Sequence, residues 1–195
     1  MTAGHQPTVA EKAGISKSTA YRYFPSRDLT LAEVLLVSTV AADREMVFAA
    51  AQTDGSAAER VDRVIHADHA MVTRHRTAFR TGLRAFLLLL EKFPDAHRVP
   101  SNRVRNLTTA LAPVANQFSS DQLQRLVAAM SLCLGIEAAT TTEISCDLTP
   151  TEAEEVKRWA AAALLNAAMS QSERQITAAH DTAAGRTKHP TGDGT

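Results

Sequence analysis

The sequence predicts an all-α protein, and three observations carry that reading. Hydrophobic residues make up 45% of the chain, much of that alanine and leucine, both strong helix formers. Glycine and proline number only 8 and 7, and they are sparse until the last dozen positions. The capping box Ser/Thr-x-x-Glu/Gln recurs at Thr8–Glu11, Ser56–Glu59, Ser119–Gln122 and Thr149–Glu152, each time ahead of a run with helical apolar period. In that box the N-cap oxygen and the N3 acid or amide satisfy first-turn amides that have no partner within the helix.

These signals order the elements. Short helices are expected near 8–13 and 16–24, followed by a long one from about 27 to 51 that TDGS ends at Thr53–Ser56. The next runs from the Ser56 cap to about His75, and another from about Thr77 to Lys92. Phe93-Pro94 and Val99-Pro100 bound a loop, the expected mobile interior segment, because proline disfavours helix at and before its own position. Later helices are expected near 102–117, 120–143 and 150–172, the last strengthened by Pro150 at its first position. Beyond about Arg174 the residues turn small and polar and read as a disordered tail. The domains so drawn are a head at 1–40, a helical bundle at 41–173 and a tail at 174–195.

Composition excludes some functions. The formal net charge is zero, so no global basic signal points to nucleic acid. Charge is nevertheless segregated: Arg74 to Arg105 is rich in Lys and Arg, whereas Glu137 to Glu155 holds acids and no basic residue. Such a pattern reads as complementary solvated faces. Cys133 and Cys146 lack CxxC spacing and fit a reducing compartment. No apolar run approaches the roughly 20 residues of a membrane span, and no export signal opens the chain, so a soluble cytoplasmic protein is expected.

The most informative stretch is GISKSTAYRYFPSRD, Gly14–Asp28. Both tyrosines of the chain and one of its 6 phenylalanines fall between Tyr21 and Phe24, beside Lys17, Arg22 and Arg27. Val9, Ala10 and Ala13 give a first helix its apolar face, and Gly14 can take the left-handed conformation that ends it. Ser16 can cap a second helix, which places Lys17, Ser18, Thr19 and Tyr21 in its first turn and a half. That is a helix-turn-helix arrangement, whose second helix enters the major groove of double-stranded DNA by its N-terminal end. Lys17 and Ser18 can reach base edges, and the Thr19 and Tyr21 hydroxyls can reach phosphates or thymine methyls. Tyr23 and Arg27 lie where a backbone contact is easier. Periodicity alone leaves a second reading open, in which the aromatics are core and the basic residues solvated.

The segment VAEKAGISKSTAYRYFPSRDLTLAEVLL, Val9–Leu36, closely resembles the DNA-binding signature of the TetR family of bacterial transcriptional regulators. By that resemblance Lys17, Ser18 and Tyr21 match base-contacting positions, and Thr19, Tyr23 and Arg27 match phosphate-contacting ones. The rest of the chain matches in helical pattern and length only. The family has a further helix before this motif; only MTAGHQPT precedes Val9 here, so a truncated head lacking that helix is expected.

The resemblance also implies a helical-bundle domain that encloses a small-molecule effector, and a homodimer built on the last two helices. FRTGLRAFLLLLEKF is apolar enough to suit the bundle centre. WAAAALLNAAM, Trp159–Met169, is small and apolar on nearly every side and asks for cover on more than one face. Candidate interface residues are therefore Trp159, Ala162 and Ala163 with Gly135, Ala138 and Ala139, and the alternative is packing within one subunit. Candidate pocket residues are Met71, Phe79, Phe86, Phe118 and Met130, with His75 and Asn116 as polar anchors, which implies an apolar or amphipathic effector.

Catalytic and metal signals are weak. Asp62, His66, His69 and His75 share a helical stretch and could ligate a transition metal, but Cys partners, HExxH and paired Glu-x-x-His are all missing. The histidines read instead as solvated or pocket-lining. No GxSxG, Walker loop or dinucleotide glycine motif appears, so neither a catalytic residue nor a cofactor is expected. The expectation is a dimeric repressor released by its effector. The alternative is a dimeric small-molecule-binding protein that has lost DNA binding.

Overall fold

The computed structural model describes residues 27–92 and 102–186. Among them are seven α-helices and no strand: α1 Arg27–Gln52, α2 Ala57–Arg74, α3 Arg76–Lys92, α4 Asn102–Leu111, α5 Ser120–Ser131, α6 Gly135–Thr140 and α7 Pro150–Arg186. A 3₁₀ segment, Ala112–Gln117, follows α4, and a π turn, Thr141–Ser145, follows α6. Lys17, Ser18, Thr19, Tyr21 and Tyr23, expected in a helix-turn-helix, and the expected loop at 93–101 lie outside the described residues. Arg27 opens α1, and the expected head–bundle boundary at residue 40 falls inside this one unbroken helix.

Local sequence sets most of the helix starts. Ser56 accepts from the Glu59 amide while the Glu59 carboxylate takes the Ser56 amide, and Ser119 with Gln122 repeats the arrangement. Thr149 and Glu152 do the same ahead of Pro150. Each reciprocal pair satisfies two orphan amides of its helix, a contribution of about 1 kcal/mol from the cap residue.

The centre of the bundle is α2, whose Val61, Val64, Ile65, Met71 and Val72 are buried. It packs against α1, α4, α6 and α7. From α1 come Val40, Val47 and Ala51, from α4 Leu107, Ala110 and Leu111, and from α5 Leu126, Val127 and Met130. The expectation that FRTGLRAFLLLLEKF occupies the centre is corrected: Leu87 and Leu88 of α3 are exposed, and Phe79 and Leu83 only flank the core. Three arginines interrupt that helix, whereas the buried face of α2 carries β-branched residues at the required spacing.

Two further boundaries differ from the sequence reading. The helix expected over 120–143 breaks at Leu132–Leu134, and the halves meet at 51°. Gly135 there takes φ +83, a left-handed conformation open to glycine at little cost. The helix expected to end near 172 continues to Arg186, past the predicted start of the tail, with alanine-rich sequence sustaining it. Among the described residues no single helix is long and apolar enough to cross a membrane.

The segregated charges meet in space. Arg76 grips Glu143 through both guanidinium ends, and Arg103 pairs with Glu137, so two arginines of the basic segment answer two acids of the acidic one. Arg105 instead lies over the Phe48 ring, 4.1 Å from its centroid, tying α4 to α1.

Candidate functional site

Along α7, Ala153, Lys157, Ala161 and Leu165 recur every fourth residue and form its buried stripe. Three of the four are apolar. Lys157, only 3% exposed, occupies a position where the helix asks for an alanine or leucine. Opposite it, the buried face of α2 carries Asp68 and His69, each 5% exposed. A buried polar trio thus sits within the α2–α7 interface, alongside the more exposed pairs of Asp62 with Arg158 and His66 with Glu154.

Its hydrogen bonds are specific. Lys157 Nζ lies 2.7 Å from His69 Nδ1. The ammonium has only donors, so Nδ1 accepts and the imidazole proton resides on Nε2, 3.9 Å from Glu154 Oε2. Burial holds the His69 pKa down, and the Lys157 charge adds to that effect. Burial also pushes the Lys157 pKa down, opposed by Asp68, Glu143 and Glu154 at longer range. The Asp68 carboxyl is raised by burial, against a 2.7 Å hydrogen bond from the Gly135 amide and the nearby Arg103.

That last bond explains the break after α5. Leu134 supplies no side-chain cap to α6, and the Asp68 carboxylate, 67 residues away in sequence, takes the amide at its start. The Arg103 guanidinium lies directly over Gly135, where any Cβ would stand. The left-handed φ favours glycine there, and a Cβ would have to displace the flexible end of Arg103.

The bend opens a groove of about 510 Å³ between the break, α6 and α7. Leu132, Leu134, Ala138, Val156 and Ala160 make it apolar; Lys157, Cys133, Arg103, Glu137, Thr141 and Thr142 give it polar groups. Leu132 is 80% exposed and stands at its mouth. Cys133 is buried and its thiol is held up by that burial. The π turn forms one end, a local irregularity of the kind that often accompanies functional positions.

None of the predicted pocket residues lines this groove. Met71 and Met130 are core, Phe79 and Phe118 pack against the core, Phe86 is half-buried on α3, and Asn116 is exposed. His75 is 2.6 Å from Asp43 of α1. The six expected interface residues divide: Gly135, Ala138 and Ala139 are buried inside the subunit by the bend, whereas Trp159, Ala162 and Ala163 are exposed on one side of α7. Lys157 was not among the predicted site residues; its signal in the sequence is a lysine at the fourth-residue spacing of Ala153, Ala161 and Leu165, next to a long apolar run.

The residues weighed as metal ligands are engaged separately. Asp62 takes two hydrogen bonds from Arg158, His66 pairs with Glu154, His69 with Lys157 and His75 with Asp43. No metal-holding group of three His, Cys, Asp or Glu converges among the described residues. No family model, curated protein or solved structure matches the chain.

Proposed function

We propose that this chain is a ligand-responsive transcriptional regulator, a repressor that binds palindromic operator DNA as a homodimer and leaves it when a small effector binds. The observation that carries the reading is continuity: the Val9–Leu36 signature runs directly into α1, and the later part of that same helix, through Val40, Val47 and Ala51, is built into the bundle core. A change in bundle packing therefore has a rigid element through which to reach the DNA-reading residues.

A chain of ion pairs supports such coupling. The groove ends in the π turn at Thr141 and Thr142, and the next residue, Glu143, is held by Arg76. Beside Arg76, His75 and Arg74 both grip Asp43 on α1, each at 2.6 Å. An effector that moves the π turn would redistribute these contacts, and it releases DNA only if it favours the arrangement in which the heads do not fit. The exposed Trp159, Ala162 and Ala163 support a dimer along α7, which would set two heads on successive half-sites.

The test is salt-dependent binding to DNA from the region upstream of the chain's own gene, followed by fluorescence anisotropy. Tyr21→Ala is expected to cost about 1–3 kcal/mol of operator binding. Unchanged affinity refutes the groove assignment. Absence of any salt-dependent binding moves the conclusion to a ligand-binding dimer without DNA activity.

A further inference from the structure

Lys157 is unusual in what it lacks. Its ammonium carries three donors, and among the described residues it makes one hydrogen bond, to His69. The acids around it are already answered by other groups: Glu154 by His66, Glu143 by Arg76, Glu137 by Arg103, and Asp68 by the Gly135 amide. A cation 3% exposed, with no carboxylate in ion-pair contact among the described residues, is costly, because its hydration is lost without a counter-charge. Yet it lines the groove beside the α5–α6 break, whose other walls are mostly apolar.

We propose that this groove binds a small amphipathic monocarboxylate, whose head group accepts the two remaining donors of Lys157 while its chain lies along Leu132, Leu134, Ala138, Val156 and Ala160. The head supplies the missing counter-ion in a low-dielectric setting, where an ion pair is far stronger than in water. The chain covers Leu132 and Val156, two of the large apolar side chains left exposed. A groove of this volume lies within the range of small-molecule sites. Neutral molecules with the same chain lose the ionic part, so the site discriminates by charge. Occupancy stands on the groove alone; that the occupant acts as effector rests on the regulator reading.

The experiment is isothermal titration of the full chain, without DNA, with octanoate and with 1-octanol. Octanoate is expected to bind at least tenfold more tightly than the alcohol. Lys157→Met, which keeps the volume of the side chain, should bring the two within about twofold. Leu132→Glu, at an exposed position where folding is not at stake, should weaken both ligands by removing an apolar wall, and octanoate further by charge repulsion. Equal affinity for acid and alcohol in the unaltered chain overturns the proposal, as does a tenfold preference that survives Lys157→Met. Failure of octanoate to bind removes the site but leaves DNA binding measured in its absence untouched, so the two readings fail separately.

Discussion

Replacing Lys157 by methionine should make the protein more stable. Bringing an ammonium into the α2–α7 interface costs several kcal/mol after relaxation, which we take as about 4. Against that stand the charge-assisted bond to His69 and the penalty of leaving Nδ1 without a partner in the variant, together about 3 kcal/mol. Methionine fills nearly the same volume beside Ala153 and Ala161 without strain. The net expectation is a gain of about 1 kcal/mol at neutral pH, read as a rise of roughly 0.5 M in urea midpoint at unchanged slope.

The pH dependence sharpens this. Because burial depresses the Lys157 pKa, the unfolded chain binds more protons between that lowered value and the ordinary 10.5. Unaltered stability therefore climbs with pH across that window, and the advantage of the variant shrinks as it does. A variant destabilised by more than about 1 kcal/mol, with a constant difference across the window, would show that the lysine is a structural ion pair after all. A gain would mark it as a residue whose presence costs stability, the usual signature of a position kept for function.

Three other outcomes are expected. Gly135→Ala, which puts a side chain at φ +83 and pushes the end of Arg103 aside, should cost about 1–2 kcal/mol and lower the melting temperature by about 2–8 °C; an unchanged thermal scan contradicts the left-handed conformation. Ala162→Glu with Ala163→Glu should give monomers on sizing chromatography, and a persisting dimer places the interface elsewhere. Asp43 is held below the usual carboxylate range chiefly by its hydrogen bond from His75, so its contribution is present above pH 3.8 and lost as pH falls through its depressed value. Asp43→Asn should then be less stable than the unaltered chain at pH 7 and equal to it in strong acid; a difference that persists in acid would mean that it does not come from the carboxylate charge.

Much of the architecture was legible because its signals are local. The boxes at Ser56, Ser119 and Thr149 involve residues three apart, and they form as the sequence predicts. The complementary charge blocks were also readable, although only the fold could say that Arg76 meets Glu143 and Arg103 meets Glu137. What was not legible depends on distant partners. LCLG reads as helix interior, and the break appears only when Asp68 and Arg103 arrive to hold Gly135 in place. That break removed Gly135, Ala138 and Ala139 from the surface and created a groove away from every residue chosen for a pocket. Apolar runs likewise misled: Leu83 of α3 only flanks the core and Leu87 and Leu88 are exposed, while the sparser valines of α2 are central.

The 51° bend between α5 and α6 has a consequence for how this cavity could arise or be lost. The groove lies between that break, α6 and α7, so it depends on the bend. The groove is therefore a packing fault held open by one glycine, one arginine and one aspartate drawn from three different helices. Its presence or absence in a related sequence would be decided at those three positions, well before any residue that lines it had changed.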